Sequence, residues 1–200
     1  MNYTVIKSDT EEIDWSAVPK LQISNYQTQP LLPVKATGQM CWGEEDFFVR
    51  LEATEGNILA RFTGEYDQVC RDSCLECFLS PDLKDGRYFN IEMNPNGATY
   101  LGIGTSIKDL RRLHPDNIRQ LFSIRTCRDG DTWSVDYRIP FSFIREYMPG
   151  FLAEKGHPMR ANFYKCGDDI EPVHELSWSP ITNGNSDFHQ PEFFGDLVLG

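Results

Sequence analysis

Tyr88-Phe-Asn-Ile-Glu-Met-Asn-Pro-Asn-Gly97 is the stretch on which the reading of this chain turns. Phe89, Ile91 and Met93 alternate with Tyr88, Asn90, Glu92 and Asn94, the period of two that sends successive side chains to opposite faces of a strand. Pro95-Asn-Gly97 is a strong turn signal, because Pro presets one backbone angle and Gly accepts a positive φ; residues 99–103 then read as the returning strand. The result is a hairpin with one apolar and one polar face.

The same pattern extends outward in both directions. Leu75, Cys77 and Leu79 alternate with Glu76 and Phe78 as far as Pro81, and the turn Lys84-Asp-Gly86 links them to the hairpin. Earlier, Phe47, Val49 and Leu51 alternate with Phe48, Arg50 and Glu52, and the turn Glu55-Gly-Asn57 predicts a hairpin to a strand over 58–62. Later strands are predicted over 122–127 and over 133–139, where Trp133, Val135, Tyr137 and Ile139 share a face and Pro140 ends the run. A short helix over 141–148 and strands at 162–165, 176–178 and 197–199 complete the set. Residues 107–121, with Lys108, Arg111, Arg112 and Arg119, read as a long loop or an irregular helical excursion. The chain up to Thr28 has no clear period, although Ile13, Trp15, Val18 and Leu21 suit a clamp onto a core, and Pro30 to Pro33 marks where regular structure begins. The expectation is an all-β chain, an antiparallel β-sandwich of jelly-roll or immunoglobulin-like kind with one short helix and a long irregular loop. Residues 1–200 form one domain in this reading, with 1–33 an N-terminal extension packed on it.

Composition narrows the function. Hydrophobic residues at 40% and charged residues at 24% are ordinary for a globular chain, while 12% aromatics with 12 Pro and 15 Gly suit short strands and turns. A net charge of -11 argues against a nucleic-acid partner, which would need clustered Lys and Arg. No apolar run is long enough to cross a bilayer as a helix, so no membrane partner is expected. The opening Met-Asn-Tyr-Thr-Val-Ile-Lys lacks the marks of a signal peptide, so a cytoplasmic address is expected, or a secreted one if a leader precedes this sequence.

Six cysteines invite a metal or redox reading, and Cys74-Leu-Glu-Cys77 has the C-x-x-C form. On a strand, however, residues three apart face opposite ways and cannot share a zinc or a disulfide, so buried or half-buried free thiols are expected. The four histidines are scattered, and no nucleophile elbow, P-loop or zinc-binding His-Glu-x-x-His motif is present. Glu76, Asn90, Glu92, Asn94, Asp136, Arg138, Asn162 and Tyr164 all lie opposite the apolar sets of their strands. Such a polar face is ordinarily solvated, and can otherwise form a shallow ligand platform. Glu76 and Glu92 could act as acid and base on a glycosidic bond if about 5–10 Å apart. Asp129-Gly-Asp131 and Gly167-Asp-Asp169 could offer oxygens to calcium, or only stabilise turns.

The run from Trp178 through Asn183-Gly-Asn-Ser-Asp-Phe-His189 to Phe193-Phe-Gly195 sets aromatic rings beside hydrogen-bonding groups in turn-rich sequence. Rings for the C–H faces of a sugar, and polar groups for its hydroxyls, make this loop a candidate binding element. Phe193 and Phe194 can equally pin the loop to the core before the last strand.

Taken in order, Arg71-Asp-Ser-Cys-Leu-Glu76, Tyr88 to Gly97, Trp133-Ser-Val-Asp-Tyr-Arg-Ile-Pro-Phe141, Leu176-Ser-Trp-Ser-Pro180 and Asp187-Phe-His-Gln-Pro-Glu-Phe-Phe-Gly195 resemble the family 9 carbohydrate-binding modules, in a divergent stand-alone bacterial branch. Cys41-Trp-Gly-Glu-Glu-Asp-Phe-Phe-Val-Arg50 resembles the family's tryptophan-led second strand, and the likeness spans roughly residues 34 to 200. The resemblance implies non-catalytic binding of a small sugar or glycan chain end in carbohydrate catabolism, with no cofactor required and with structural calcium as an option. By it, Glu76 is a ligand to sugar hydroxyls, Asn185 and Phe188 match an asparagine and a stacking tryptophan, and Glu65 falls on an acidic binding position. His189 joins these as a polar partner, and Trp42 and Trp178 belong to the core. Cys70 stands where the family has its other stacking tryptophan. The family's binding arginine falls near Phe89 or Asn90, so Arg71 is the guanidinium offered instead. The competing readings are a small glycosidase or sugar-modifying enzyme using Glu76 and Glu92, and a protein-interaction module whose sugar site has decayed.

Overall fold

Alternating apolar residues between turn-formers give strands, and strands dominate the molecule. The structure, a computed structural model, describes residues 1–28 and 33–200. The first half carries β1 (Asn2–Lys7), β2 (Leu21–Ile23), β3 (Asn25–Thr28), β4 (Lys35–Trp42), β5 (Asp46–Thr54), β6 (Cys74–Ser80) and β7 (Tyr88–Met93). After these come β8 (Thr99–Gly104), β9 (Arg111–Arg112), α1 (Ile118–Leu121), β10 (Arg125–Asp129), β11 (Thr132–Pro140), α2 (Phe141–Tyr147), β12 (Pro158–Gly167), β13 (His174–Ser177) and β14 (Gly195–Leu199).

They make a curled mixed sheet in the order β10-β11-β5-β4-β1-β14-β12-β6-β7-β8-β9, with β2, β3 and β13 branching from it. Among the described residues the pairings are antiparallel except at β1, which runs parallel to both β14 and β4. The expected antiparallel order is therefore broken at this strand, which joins the two halves of the sheet. Curling lets the halves share a core: Phe47, Val49, Leu51, Trp133, Val135 and Ile139 belong to the same buried cluster as Leu75, Leu79, Phe89, Ile91, Met93 and Phe163. Helix α2 closes one end, with Phe143 5.3 Å from Phe89 and Phe141 4.9 Å from Phe47, ring centre to ring centre. Trp42 and Trp178 are buried, as the resemblance implied.

Several expectations need correction. The N-terminal stretch without clear period contains β1, β2 and β3, although Val18 and Leu21 are buried as a clamp requires. The predicted strand over 58–62 does not form. Its amides are taken instead by the buried Asp72, whose Oδ2 accepts from the N–H groups of Arg61 (2.7 Å) and Phe62 (2.9 Å). Phe122 ends the helical turn α1 rather than opening a strand, and residues 107–121, read as a long loop or an irregular helical excursion, hold that turn together with the short strand β9. The transition placed at Pro30 to Pro33 lies outside the described residues except for Pro33.

Candidate functional site

The polar face foreseen in the alternation exists, but it is not solvated. On the outer side of β6, β7 and β12, Cys74, Glu76, Phe78, Tyr88, Asn90, Glu92, Asn162, Tyr164 and Cys166 are all buried. They form a second packed layer with Val69, Ile181, Phe188 and Phe194, contributed by the loops on either side of Cys70 and around Phe188. Asp136 and Arg138 lie on β11, in the other half of the sheet.

Register builds the centre of this face. Tyr164 on β12 stands opposite Glu76 on β6, Glu76 opposite Glu92 on β7, and Glu92 opposite Tyr100 on β8. Two carboxyls directly opposed on neighbouring strands are about 5 Å apart at Cβ, and these are 3% and 7% exposed. Burial raises the Glu76 carboxyl well above the usual range, with the nearby Glu92 adding to it. Burial also pushes Glu92 up to about 7. The pair thus holds a proton near neutrality, and a protonated carboxyl can donate as well as accept. Asn90 is close enough to Glu92 to favour its charged form, yet neither its side-chain oxygen nor its nitrogen completes a hydrogen bond, and it is fully buried. A buried amide without partners costs roughly 1–3 kcal/mol, which a ligand could offset by bonding to it.

The loop carrying Phe188 covers one side of this centre. Phe188 stacks on Tyr164 with centroids 4.1 Å apart and planes 10° from parallel, and the Tyr164 hydroxyl donates to the Phe188 carbonyl at 3.0 Å. One residue, Tyr164, therefore connects Phe188 to Glu76. Phe188 is 9% exposed, so its ring, stacked on Tyr164, offers little free face. His189 sits over Phe78 at 4.9 Å, and its Nδ1 shares a 2.8 Å hydrogen bond with the Tyr88 hydroxyl.

Of the six residues picked from the sequence, Glu76, Phe188 and His189 come together on this face. Asn185 is exposed in the same loop, its side-chain oxygen accepting from the Asp187 amide at 3.1 Å. Arg71 is exposed beside Cys70 and paired with Asp169 at 3.0 Å, and Asp169 also binds Arg61. Glu65 is exposed in the loop before Val69. Sequence reasoning placed Asn90 and Glu92 on the polar face without assigning them to this site. The signal available for them was their period-two phase with Glu76.

Among the described residues, neither Asp129-Gly-Asp131 nor Gly167-Asp-Asp169 gathers three side-chain ligands for a metal. Asp169 is already occupied by two guanidiniums.

Comparison with known proteins agrees with this architecture. The sequence model of carbohydrate-binding family 9 matches residues 4–199. A crystal structure described as a candidate carbohydrate-binding protein from Bacteroides uniformis ATCC 8492 superposes with a TM-score of 0.87 at 23% identity, over 100% of this chain and 99% of that one. A family 9 module from Caldicellulosiruptor kristjanssonii in complex with glucose gives 0.69 at 15% identity, covering 100% and 96%, respectively. The same organism's module in complex with cellotriose gives 0.68 at 16%, covering 100% and 93%. No curated protein sequence matches the chain. At such identities the structural likenesses speak for the fold, and the family match, spanning nearly the whole length, speaks for kinship: the chain belongs to carbohydrate-binding family 9.

Proposed function

We propose that this protein binds carbohydrate without catalysis, taking a small sugar or the end of a glycan chain on the outer face of β6, β7 and β8. The two halves of the curled sheet are read as the layers of a β-sandwich, and the site lies on the outside of one layer. The observation that carries the reading is the group of Glu76, Glu92 and Asn90 in a chain of this family: all three are buried polar side chains, and the Asn90 amide completes no hydrogen bond at either end. Sugar hydroxyls both donate and accept, so they can use a carboxyl pair that holds a proton and the two ends of an amide. The approach runs over Glu92, between half-exposed Cys70 and Tyr100. Burial raises the Cys70 thiol, with Glu92 and Glu76 nearby adding to it, and Tyr100 is the cross-strand neighbour of Glu92 with Arg112 5.0 Å above its ring. Phe188 and Tyr164 form the far wall, with Asn185, His189, Arg71 and Glu65 at the border. For calcium, Asp129 and Asp131 remain the residues to offer.

The glycosidase alternative is disfavoured by geometry. Glu76 and Glu92 rise side by side from adjacent strands at a separation that acid–base work allows, but at 3% and 7% exposure they do not flank a cleft through which a glycosidic bond could pass between them. The interaction-module reading is favoured by one observation, the packing of Phe188 against Tyr164, which leaves its ring little face for a sugar.

Isothermal titration with glucose and cello-oligosaccharides tests the proposal. The wild type should bind, and the double variant Glu76→Gln, Glu92→Gln should lose about tenfold or more in affinity. Unchanged affinity in that variant and in Phe188→Ala, Glu76→Ala rejects the site. Absence of binding to every saccharide favours the interaction module, and release of reducing sugar from the oligosaccharides would restore the enzyme.

A further inference from the structure

We infer that Cys74, Glu76 and Cys166 form a binding site for a thiophilic divalent cation, of which Zn2+ is the physiological example. Cys74 and Glu76 are two apart on β6 and so share its outer face. Cys166 on β12 stands directly opposite Cys74 in the strand register. The Cys166 Sγ lies 3.0 Å from Glu76 Oε1, and the two sulfurs and the carboxylate oxygen all lie within 4.8 Å of one another. Around a tetrahedral zinc, with bonds of about 2.0–2.3 Å, ligand atoms are about 3.5–3.8 Å apart. Closing on the ion therefore needs shifts of about an ångström at most.

The setting is that of a closed site rather than a surface cluster. Cys74, Glu76 and Cys166 are 0%, 3% and 2% exposed, and all six cysteines are free. Two thiols and a carboxyl buried together are an awkward solution if nothing binds them. A dication lets the groups lose their protons to solvent together and neutralises most of the resulting charge. Paired thiolates select soft or borderline metals over calcium, whose sites are built from oxygens. The fourth coordination position is left to water. This site shares Glu76 with the proposed saccharide face but needs no saccharide to be detected, so the two readings fail separately.

The test uses the full chain, reduced and stripped of metal by a chelator, titrated with Cd2+ while the ultraviolet sulfur-to-metal charge-transfer band is followed. A parallel titration with Zn2+ competes against a chromophoric chelator. One equivalent should bind, with a band that survives Cys77→Ala and Cys127→Ala and disappears in Cys74→Val and in Cys166→Ala. Zn2+ at a hundredfold excess over its dissociation constant should raise the wild-type melting temperature by about 5–10 °C, a readout that does not depend on the variants folding. Absence of the band and of the thermal shift in the reduced wild type overturns the inference. So does a band that persists without Cys74 and Cys166, or one that depends on exposed Cys127.

Discussion

Glu55 on one side and the pair Glu76 and Glu92 on the other are buried carboxylates treated in opposite ways. Glu55, at the end of β5, receives the Trp133 indole N–H at 2.6 Å, with Lys165 Nζ 3.0 Å and His174 Nε2 3.3 Å from its other oxygen. Burial alone would raise its pKa, but the bond to His174, the charge of Lys165 and the bond from Trp133 outweigh it and bring the group down to about 2. Among the described residues Glu76 and Glu92 have no cation in contact; they face each other and are pushed up by burial, which outweighs the more distant charges of Lys165 and Arg112. The first arrangement has a cation, Lys165, against its carboxylate and ties β5 to β12 and β13. The second is incomplete, and what it lacks is what a ligand brings. Burial by itself does not distinguish a structural carboxylate from a binding one; the state of its bonding partners does.

The largest expected effect comes from breaking the first arrangement. Lys165→Met leaves Glu55 buried without its main counter-charge and should cost about 3–5 kcal/mol of stability, measured by urea denaturation. Adding Glu55→Gln to the same chain should recover most of the loss.

The pH dependence separates the two arrangements by sign. Glu92, with a folded pKa of about 7 against 4.5, binds its proton more tightly folded than unfolded. Its contribution to stability is thus present at low pH and lost as pH rises from 4.5 through 7, by at most roughly 1.4 kcal/mol for each pH step of one between those two values. Glu55, folded at about 2, contributes stability above 4.5 that is lost as pH falls towards 2. The melting temperature should therefore peak near pH 5. Glu92→Gln should flatten the alkaline side only, and a profile unaltered by that substitution would count against the unpaired reading of the face.

The smallest effect is expected at the border. Arg71→Ala removes a half-exposed ion pair with Asp169 and should change stability by less than about 1 kcal/mol. It should weaken saccharide binding less than the glutamate pair does in the same titration.

Legibility in the sequence followed the range of the physics. The hairpin around Pro95-Asn-Gly97 and the strands β5, β6, β7, β8 and β11 could be read because alternation and turn chemistry are local. The strand expected over 58–62 failed because a distant buried side chain, Asp72, took the amides that a ladder would have used. β1, as long as β7 and β8, was not seen because no turn ties it to a neighbouring strand and both its partners, β14 and β4, lie far along the chain. Within the site, the phase of Glu76 and Glu92 was legible. Their burial and the unpaired state of Asn90 were not. The C-x-x-C form pointed at Cys77, which lies in the inner core, while the neighbour of Cys74 is Cys166.

By itself the sequence determined the strands β5, β6, β7, β8 and β11, which of their side chains share a face, and that the chain carries the motifs of its family, because each of these depends on residues a few positions apart. Only the tertiary structure decided that the polar face is roofed by loops, that its carboxyls meet without a counter-charge, and that two thiols and a carboxylate converge. Those outcomes depend on cross-strand register and on which distant segment excludes water, and neither leaves a mark in local periodicity.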